Sequence, residues 1–236
     1  MKPIYKRILL KVSGEGLMGK QNFGIDAEAV KNIVNEIKLI HETGVEICII
    51  VGGGNIFRGV QEASKGIDRT VGDYVGMMAT IMNAVYLQNI MEQNNLPVRV
   101  MSGLQVPQVC ESYLYRRALR HLEKKRIVIF AGGTGNPFFT TDTGAVLRAS
   151  EMKCDVIMKS TQVDGVYDAD PRKNPEAKRY DTVSYDEVIE KQLAVMDMTA
   201  IAMARENHIP IMVFSQHEKG SLAKAVCGKG VFSLIK

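Results

Sequence analysis

The sequence contains few of the side chains from which proteins build metal or disulfide centres. Its 236 residues include four cysteines and four histidines. The cysteines stand at positions 48, 110, 154 and 227, and they form neither a CxxC pair nor a zinc-binding spacing. We therefore predict four reduced thiols, as is typical of the cytoplasm, and no residues that ligate a metal.

Long apolar segments are also missing. The longest apolar run near the N-terminus, residues 8–10, has three residues, which is too short for a signal peptide. No stretch approaches the roughly 18 apolar residues of a transmembrane helix, so we expect no membrane partner.

Aromatic residues make up 6% of the chain and include no tryptophan, which leaves little material for stacking nucleic-acid bases. The net charge is +4, and basic residues gather in an amphipathic helix predicted over residues 112–125. Because no aromatic residues alternate with these basic ones, we interpret the helix as a solvated surface and expect no nucleic-acid partner.

Short apolar runs alternate with longer stretches of helical period along the whole chain. This order predicts an α/β fold with a mainly parallel sheet and helices on both faces. No linker, repeat or change of composition divides the chain, so we expect a single domain over residues 1–236. The polar stretch 164–181 predicts a long loop, and such loops are usually functional or mobile.

Glycine clusters follow three of the predicted strands, at residues 14–16, 52–54 and 132–135. Ligands of open α/β sheets bind beyond the carboxyl ends of the strands, where glycines let backbone N–H groups approach an anion. Three such loops at one sheet edge predict a polyanionic ligand, and a nucleotide is the commonest of these.

The first glycine cluster fits the spacing of two nucleotide-binding motifs but lacks the neighbouring residues and the helix that these motifs require. Residues 14–19 fit GxGxxG and residues 14–20 fit GxxxxGK. The predicted helix begins only near Asp26, and Gln21 stands where a P-loop needs serine or threonine. We therefore expect neither a dinucleotide-binding fingerprint nor a P-loop.

Two cations are candidates for contact with phosphate. Lys11 lies in an apolar strand end, where a lysine loses solvation unless it meets an anion. Arg58 follows the second glycine cluster, and its planar fork suits phosphate oxygens.

A long helix is predicted within residues 71–95. We interpret Asp73 as the N-cap of this helix or, alternatively, as an acceptor for the hydroxyl groups of a ribose. Its methionines, Met77, Met78 and Met82, are predicted to pack in the core.

The stretch 132–142 is the most specialised part of the sequence, because it packs turn formers, hydroxyls and two phenylalanines between a strand and a helix. Thr141 or Asp142 is expected to cap the helix that follows. A plain connection would not need two exposed aromatic rings, so Phe138 and Phe139 favour a pocket for a planar ligand.

Together these motifs resemble the bacterial UMP kinases of the amino acid kinase superfamily, and the resemblance covers essentially the whole chain. Its most specific carrier is the string Gly-Thr-Gly-Asn-Pro-Phe-Phe-Thr-Thr-Asp at residues 133–142. The remaining carriers lie within residues 11–15, 52–59, 72–77 and 159–171.

The resemblance implies an α/β/α sandwich of three layers and transfer of a phosphoryl group from ATP to UMP, with Mg²⁺, in pyrimidine nucleotide biosynthesis. It implies a cytoplasmic homohexamer, with GTP and UTP as effectors. Arg99, Tyr115 and Arg126 are candidates for an effector site between subunits, or alternatively plain surface residues.

The same resemblance implies catalytic roles for Lys11, Arg58 and Asp142. It assigns ATP binding to Lys11, Val12, Ser13, Gly14, Gly54, Arg58, Thr161, Tyr167 and Asp170. It assigns UMP binding to Gly53, Asp73, Thr134, Gly135, Asn136, Pro137, Phe138, Phe139, Thr140 and Thr141. The UMP-binding part is expected over roughly residues 1–150 and the ATP-binding part over roughly residues 151–236.

Two other functions stay open at the level of sequence. A kinase of an amino acid or of carbamate would share the fold, but Asp73 and residues 138–142 fit a nucleotide acceptor better. A non-catalytic nucleotide-binding protein would be expected to lack Lys11, Arg58 or Asp142, and all three are present.

Overall fold

The computed structural model describes residues 2–57, 66–215 and 220–236. Its strands are β1 (Arg7–Val12), β2 (Glu46–Val51), β3 (Val98–Ser102), β4 (Glu111–Ser112), β5 (Ile127–Ala131), β6 (Val156–Thr161), β7 (Val166–Tyr167), β8 (Arg179–Tyr180), β9 (Thr182–Val183), β10 (Ile211–Ser215) and β11 (Phe232–Ile235). The helices are α1 (Gly14–Leu17), α2 (Ala27–His41), α3 (Arg69–Gln93), α4 (Tyr115–Glu123), α5 (Thr141–Met152), α6 (Tyr185–Glu190), α7 (Met198–Glu206) and α8 (Ser221–Val226).

One sheet of nine strands runs through the molecule in the order β4-β3-β5-β2-β1-β6-β10-β11-β9. The strands from β4 to β10 in this order pair in parallel, whereas β11 pairs antiparallel with β10. The mainly parallel α/β sheet predicted from the sequence is therefore confirmed. Since β1 lies between β2 and β6, the loops that follow these three strands leave the same edge of the sheet.

Alternate residues of the strands feed two separate cores, as expected for a sheet covered on both faces. On β1, Ile8 and Leu10 point to the core shared with α2, α3 and α8. Leu9 points to the opposite core, which contains residues of α4, α5, α6 and α7. This arrangement is the three-layer α/β/α sandwich. None of the helices within the described ranges combines the length and the apolar character that a membrane span requires.

Side-chain caps fix the start of several helices, and two of them differ from the prediction. Asp68, rather than Asp73, caps α3, because its carboxylate accepts a hydrogen bond from the backbone N of Val71 at 3.1 Å. Thr140, rather than Thr141 or Asp142, caps α5. The carboxylates of Asp73 and Asp142 therefore do not cap these helices.

Two further expectations about local structure were wrong. A one-turn helix, α1, follows β1 directly, because Ser13 Oγ accepts a hydrogen bond from Gly16 N at 3.1 Å. The stretch 164–181 is not a plain loop, since β7 and β8 pair antiparallel within it. Short elements of two to four residues carry too little periodicity to be recognised in a sequence.

Candidate functional site

Three charged side chains meet where β1, β6 and the start of α5 come together. Lys11 and Lys159 are register partners on the adjacent strands β1 and β6. Their ammonium nitrogens each lie 3.2 Å from a carboxylate oxygen of Asp142, Lys11 from Oδ1 and Lys159 from Oδ2. Each of the three side chains is only 13–16% exposed. We call this arrangement the lysine–aspartate cluster.

Burial and the neighbouring charges shift two pKa values in the cluster. Burial raises the pKa of Asp142, but attraction by Lys11 and Lys159 outweighs it and holds that pKa below 3.8. Burial, together with repulsion from Lys11, lowers the pKa of Lys159 below 10.5, and Asp142 opposes this shift only in part. With all three groups ionised, two positive charges face one negative charge. The cluster therefore has an excess positive charge that suits a phosphate group.

The lysine–aspartate cluster was only partly predicted. Lys11 and Asp142 were expected in one site, and the structure brings them together. Lys159 was missed, although the signal that singles out Lys11, a lysine near the end of an apolar strand, is present at Lys159 too. The Nζ of Lys159 also donates a hydrogen bond to the carbonyl oxygen of Val195, which holds it over the sheet edge.

A cavity of about 570 Å³ opens beside the cluster, within the usual size range of small-molecule sites. Both lysines line it. Four further residues predicted for ATP line it as well: Ser13, Thr161, Tyr167 and Asp170. The phenol of Tyr167 donates a hydrogen bond to Asp164 at 2.7 Å, and this bond raises the pKa of Tyr167. Asp170 pairs with Arg172 at 3.2 Å.

Val12, Gly14 and Gly54 were also predicted for ATP, and none of the three lines the cavity. Val12 is a buried residue of β1. Gly14 packs tightly, since a Cβ there would lie 2.7 Å from the backbone N of Gly54. At Gly54 itself a Cβ would meet no atom within 4 Å. Thus Gly14 is required for close packing of the two loops, whereas Gly54 faces open space.

Immediately before Asp142 in the chain, the segment 134–141 connects β5 to α5. It contains Thr134, Gly135, Asn136, Pro137, Phe138, Phe139, Thr140 and Thr141, all predicted for UMP. Phe138 and Phe139 are 65% and 48% exposed. Asp73 joins this segment, because its Oδ2 accepts a hydrogen bond from the backbone N of Phe138 at 2.7 Å.

Gly53 was predicted to contact UMP, and the structure gives it a packing role. A Cβ at this position would lie 2.8 Å from the carbonyl oxygen of Gly76 and 2.9 Å from the Cβ of Ala79. Both of these atoms belong to α3. The loop after β2 therefore lies directly against the helix that carries Asp73.

Asp197 was not predicted for the site, although it contacts α5 and its charge acts on Lys159. Its carboxylate accepts hydrogen bonds from the hydroxyl groups of Thr140 and Thr143, the latter at 3.1 Å to each oxygen. It also caps α7 by accepting a hydrogen bond from Ala200 N at 2.9 Å. The sequence indicates this capping role, but the contacts to α5 depend on the tertiary fold.

Comparison with known proteins agrees with this geometry. Residues 6–215 match the model of the amino acid kinase family. The chain is similar to the uridylate kinase of Rickettsia felis, with 56% identity over 98% of this chain and 96% of that protein. The structure is similar to that of the UMP kinase of Bacillus anthracis, with a TM-score of 0.95 and 40% identity, covering 98% of this chain and 96% of the other. It is also similar to the UMP kinase of Ureaplasma parvum, with a TM-score of 0.94 and 32% identity over all of both chains.

The chain belongs to the uridylate kinases of the amino acid kinase family. The resemblance stated from its motifs is thereby confirmed. Arg58, which was predicted to act in catalysis and in ATP binding, lies outside the described residues of this amino acid kinase.

A charged network on the edge of the sheet joins two of the residues predicted for an effector. Arg126 lies 3.2 Å from His121 Nδ1, and His121 Nε2 lies 3.2 Å from Glu111. Glu111 also lies 4.0 Å from Arg99. Tyr115 begins α4 nearby in sequence and is 41% exposed.

The resemblance implies Mg²⁺, an ion that binds oxygen ligands such as carboxylates. In residues 2–57, 66–215 and 220–236, no group of three histidine, cysteine or acidic side chains is arranged to hold a metal ion. The carboxylate of Asp142 already forms ion pairs with Lys11 and Lys159. Mg²⁺ typically keeps several waters and binds through substrate phosphates with only one or two carboxylates. These residues fit a Mg²⁺ ion that arrives with ATP, and none of them is assigned to it as a ligand.

Proposed function

We propose that this protein is a UMP kinase that transfers the γ-phosphoryl group of ATP to the phosphate of UMP, producing ADP and UDP. The observation that carries the proposal is the position of the lysine–aspartate cluster. Lys11 and Lys159 line the 570 Å³ cavity, and Asp142, with which both pair, directly follows the segment 134–141 in the chain. A phosphoryl group that moves from a donor in the cavity to an acceptor at this segment would pass the two ammonium groups.

The chemistry of the acceptor explains what the site provides. A phosphate monoester has a second pKa near 6 and is mostly ionised at neutral pH, so the transfer needs no general base. Its main obstacle is repulsion between two negatively charged phosphates, and positioning and charge neutralisation overcome it. Lys11 and Lys159 supply positive charge in a partly buried setting, where it acts more strongly than in water. Asp142 holds both ammonium groups in place.

Each substrate has its own set of binding residues in this proposal. ATP would occupy the cavity beside Ser13, Thr161, Tyr167 and Asp170, with Gly14 and Gly54 adjoining its phosphates. Mg²⁺ would be bound to ATP as part of that substrate and would neutralise its phosphate charges. UMP would contact Asp73 and the segment 134–141. In this reading residues 1–150 mainly bind UMP and residues 151–236 mainly bind ATP, with Lys11 serving both.

The alternative of an amino acid or carbamate kinase is less favoured by the acceptor side. Two exposed phenylalanines, and a carboxylate that is hydrogen-bonded to the backbone of one of them, suit a planar base with a sugar. Neither carbamate nor an amino acid such as aspartate or glutamate has an aromatic ring that could stack on these side chains. A non-catalytic nucleotide-binding protein would have no need for two lysines held beside one buried aspartate.

The decisive experiment measures ADP release from MgATP with UMP, CMP, dTMP, aspartate or glutamate as acceptor. We expect rapid release with UMP only. The matched control is Lys11→Ala, which should lose on the order of 10²–10³ in rate, the typical cost of one lost transition-state donor. Release that UMP does not stimulate, or that CMP stimulates equally well, would overturn the proposal.

We further propose a role in pyrimidine nucleotide biosynthesis in the cytoplasm, where ATP and UMP are metabolites. GTP and UTP are proposed as effectors, and the charged network of Arg99 and Arg126 supports an anion site at that edge of the sheet. A homohexamer is proposed as the assembly. Its support is an exposed apolar stripe on α3, formed by Val71, Tyr74, Met78 and Met82, which are 41–58% exposed.

A further inference from the structure

Arg69 has contacts at the acceptor side that helix stability does not explain. It is the first residue of α3, one position after the N-cap Asp68. Its Nε lies 2.9 Å from both carboxylate oxygens of Asp73, one turn later. A cation at a helix N-terminus is opposed by the helix dipole, and an ion pair whose cation precedes its anion is the weaker orientation. An acidic residue at this position would stabilise α3 better than arginine does.

The same arginine also contacts the acceptor segment. The guanidinium carbon of Arg69 lies 5.7 Å from the centre of the Phe138 ring. Asp73, held by Arg69, accepts the hydrogen bond from the backbone N of Phe138 at 2.7 Å. Arg69, Asp73 and Phe138 thus form a closed triangle of contacts, which we call the arginine triangle.

The backbone of Phe138 adopts a conformation that its side chain disfavours. Its φ angle is +71°, in the left-handed region that residues other than glycine rarely occupy. Its ring is 65% exposed, so burial in the core does not compensate for this conformation. Strained residues of this kind persist where neighbouring contacts hold them, and they cluster at ligand sites. Here the described contact at the backbone of Phe138 is the hydrogen bond to Asp73.

Asp73 still has capacity for a ligand. An ionised carboxylate offers about four acceptor positions. Arg69 and Phe138 occupy three of them, two on Oδ2 and one on Oδ1. The Asp73 side chain is 14% exposed, so part of it remains accessible to a hydroxyl group of a bound ribose.

We infer that Arg69 is a positioning residue for the acceptor nucleoside. It orients Asp73, and through Asp73 it holds Phe138 in the left-handed conformation before the acceptor binds. The inference rests on the proposed UMP kinase activity. Arg69 does not contact the lysine–aspartate cluster in the described structure, so its loss should weaken binding of UMP and leave the chemical step and ATP binding intact.

The test is steady-state kinetics of ADP release by Arg69→Ala, with ATP and UMP varied in turn. We expect KM for UMP to rise about tenfold, the size of one lost hydrogen bond to a charged group. The kcat and KM for ATP should stay within about twofold of wild type, a margin well below that effect. Arg69→Lys keeps the charge without the planar fork and should give an intermediate KM for UMP. The matched control, Arg120→Ala, removes the Arg120–Glu123 ion pair on α4 and should change none of these values.

A double mutant separates action through Asp73 from an independent effect. In the Asp73→Asn background, Arg69→Ala should raise KM for UMP much less than tenfold, because the residue through which it acts is already altered. The inference would be overturned if the effects of Arg69→Ala and Asp73→Asn on KM for UMP were fully additive. It would also be overturned if Arg69→Ala left KM for UMP unchanged or raised KM for ATP and KM for UMP equally. Loss of the folded state in Arg69→Ala, measured by thermal unfolding, would overturn it as well. If wild type itself releases no ADP with UMP, the proposed function fails, and this inference fails with it.

Discussion

At the scale of single residues, the site depends on Lys159, whose charged form two carboxylates favour and burial opposes. Burial and the charge of Lys11 lower the pKa of Lys159, whereas Asp142 and Asp197 raise it. The net shift is downward from 10.5. An ammonium group that is easier to deprotonate is also poorly solvated, so it gains more from a phosphate that arrives beside it.

This shift predicts an alkaline limb in the pH profile of kcat/KM, which reports groups of the free enzyme. The ammonium of Lys159 is charged below its pKa and neutral above it, so kcat/KM should fall as the pH rises through a pKa that lies below 10.5. In Lys159→Arg, the guanidinium remains charged over the whole measured range, and this limb should disappear even if the rate is lower. Lys31→Arg, which alters an exposed lysine of α2, is the control and should keep the wild-type limb. A limb at the same pH in Lys159→Arg would show that another group titrates.

Residue types alone located part of this site. Lys11 was recognisable because a charge in an apolar strand end needs a partner, and Asp142 because it ends a distinctive string. Asp73 was interpreted first as a cap, since an aspartate near a helix start usually is one. The cap made by Asp68 excludes this role, and the contact of Asp73 with Phe138, distant in sequence, could not be predicted. Met78 and Met82 were predicted to lie in the core but are 50% and 58% exposed, whereas Met77 is buried as predicted.

At the scale of elements, the site depends on how closely the loop after β2 approaches α3. Two buried amides join them, with Asn83 Nδ2 donating to Asn55 Oδ1 at 2.7 Å and Asn55 Nδ2 donating to Asn83 Oδ1 at 3.1 Å. Gly53 lies in the same contact and leaves no room for a methyl group. The next residue, Gly54, faces open space.

These adjacent glycines should therefore respond in opposite ways to the same substitution. Gly53→Ala forces a Cβ against Gly76 O and should lower the free energy of unfolding by about 1–3 kcal/mol, a typical cost of overpacking. Gly54→Ala should leave that free energy nearly unchanged but raise KM for ATP, because the methyl group occupies the space proposed for phosphates. Urea denaturation and steady-state kinetics measure the two effects. Equal loss of stability in both variants, or wild-type kinetics in Gly54→Ala, would contradict this assignment.

The longer elements could be predicted from the sequence, because periodicity accumulates over their length. The 25 residues of α3 correspond closely to the helix predicted within residues 71–95. Strand β2 ends at Val51, directly before the glycine cluster that was predicted to follow a strand. The one-turn helix α1 and the two-residue strands β7 and β8 were not found. Their formation depends on single hydrogen bonds and on partners brought near by the fold, and neither leaves a repeating pattern.

At the scale of the whole molecule, the sheet order brings together residues that lie far apart in the chain. β1 is central because the chain places β2 on one side of it and returns to place β6 on the other. Lys11 and Lys159 therefore stand side by side although most of the chain separates them. The sequence predicts a parallel sheet, but it does not specify which strands are neighbours or in which register. The pairing of Lys159 with Asp142 and the contacts of Asp197 with α5 became visible only in the folded molecule.

The exposed stripe on α3 raises a question about the assembly of the molecule. Val71, Tyr74, Met78 and Met82 recur at intervals of three and four residues and thus share one face of the helix. The opposite face of α3 is already buried against the sheet, through residues that include Ala84 and Leu87. A helix with apolar residues on both faces is stable in water only if the second face is also covered. We expect a second copy of this chain to cover it.

The variant Met78→Glu/Met82→Glu tests this expectation. Two carboxylates on the stripe would have to lose their hydration in the interface and would repel their symmetry-related copies, so the assembly should dissociate into smaller species. Sedimentation velocity at micromolar concentration gives the mass, and circular dichroism shows whether the chain stays folded. Leu39→Glu adds a charge at a residue of α2 that is 51% exposed and should leave the mass unchanged. A folded double variant with the mass of wild type would show that the stripe lies outside any contact between copies.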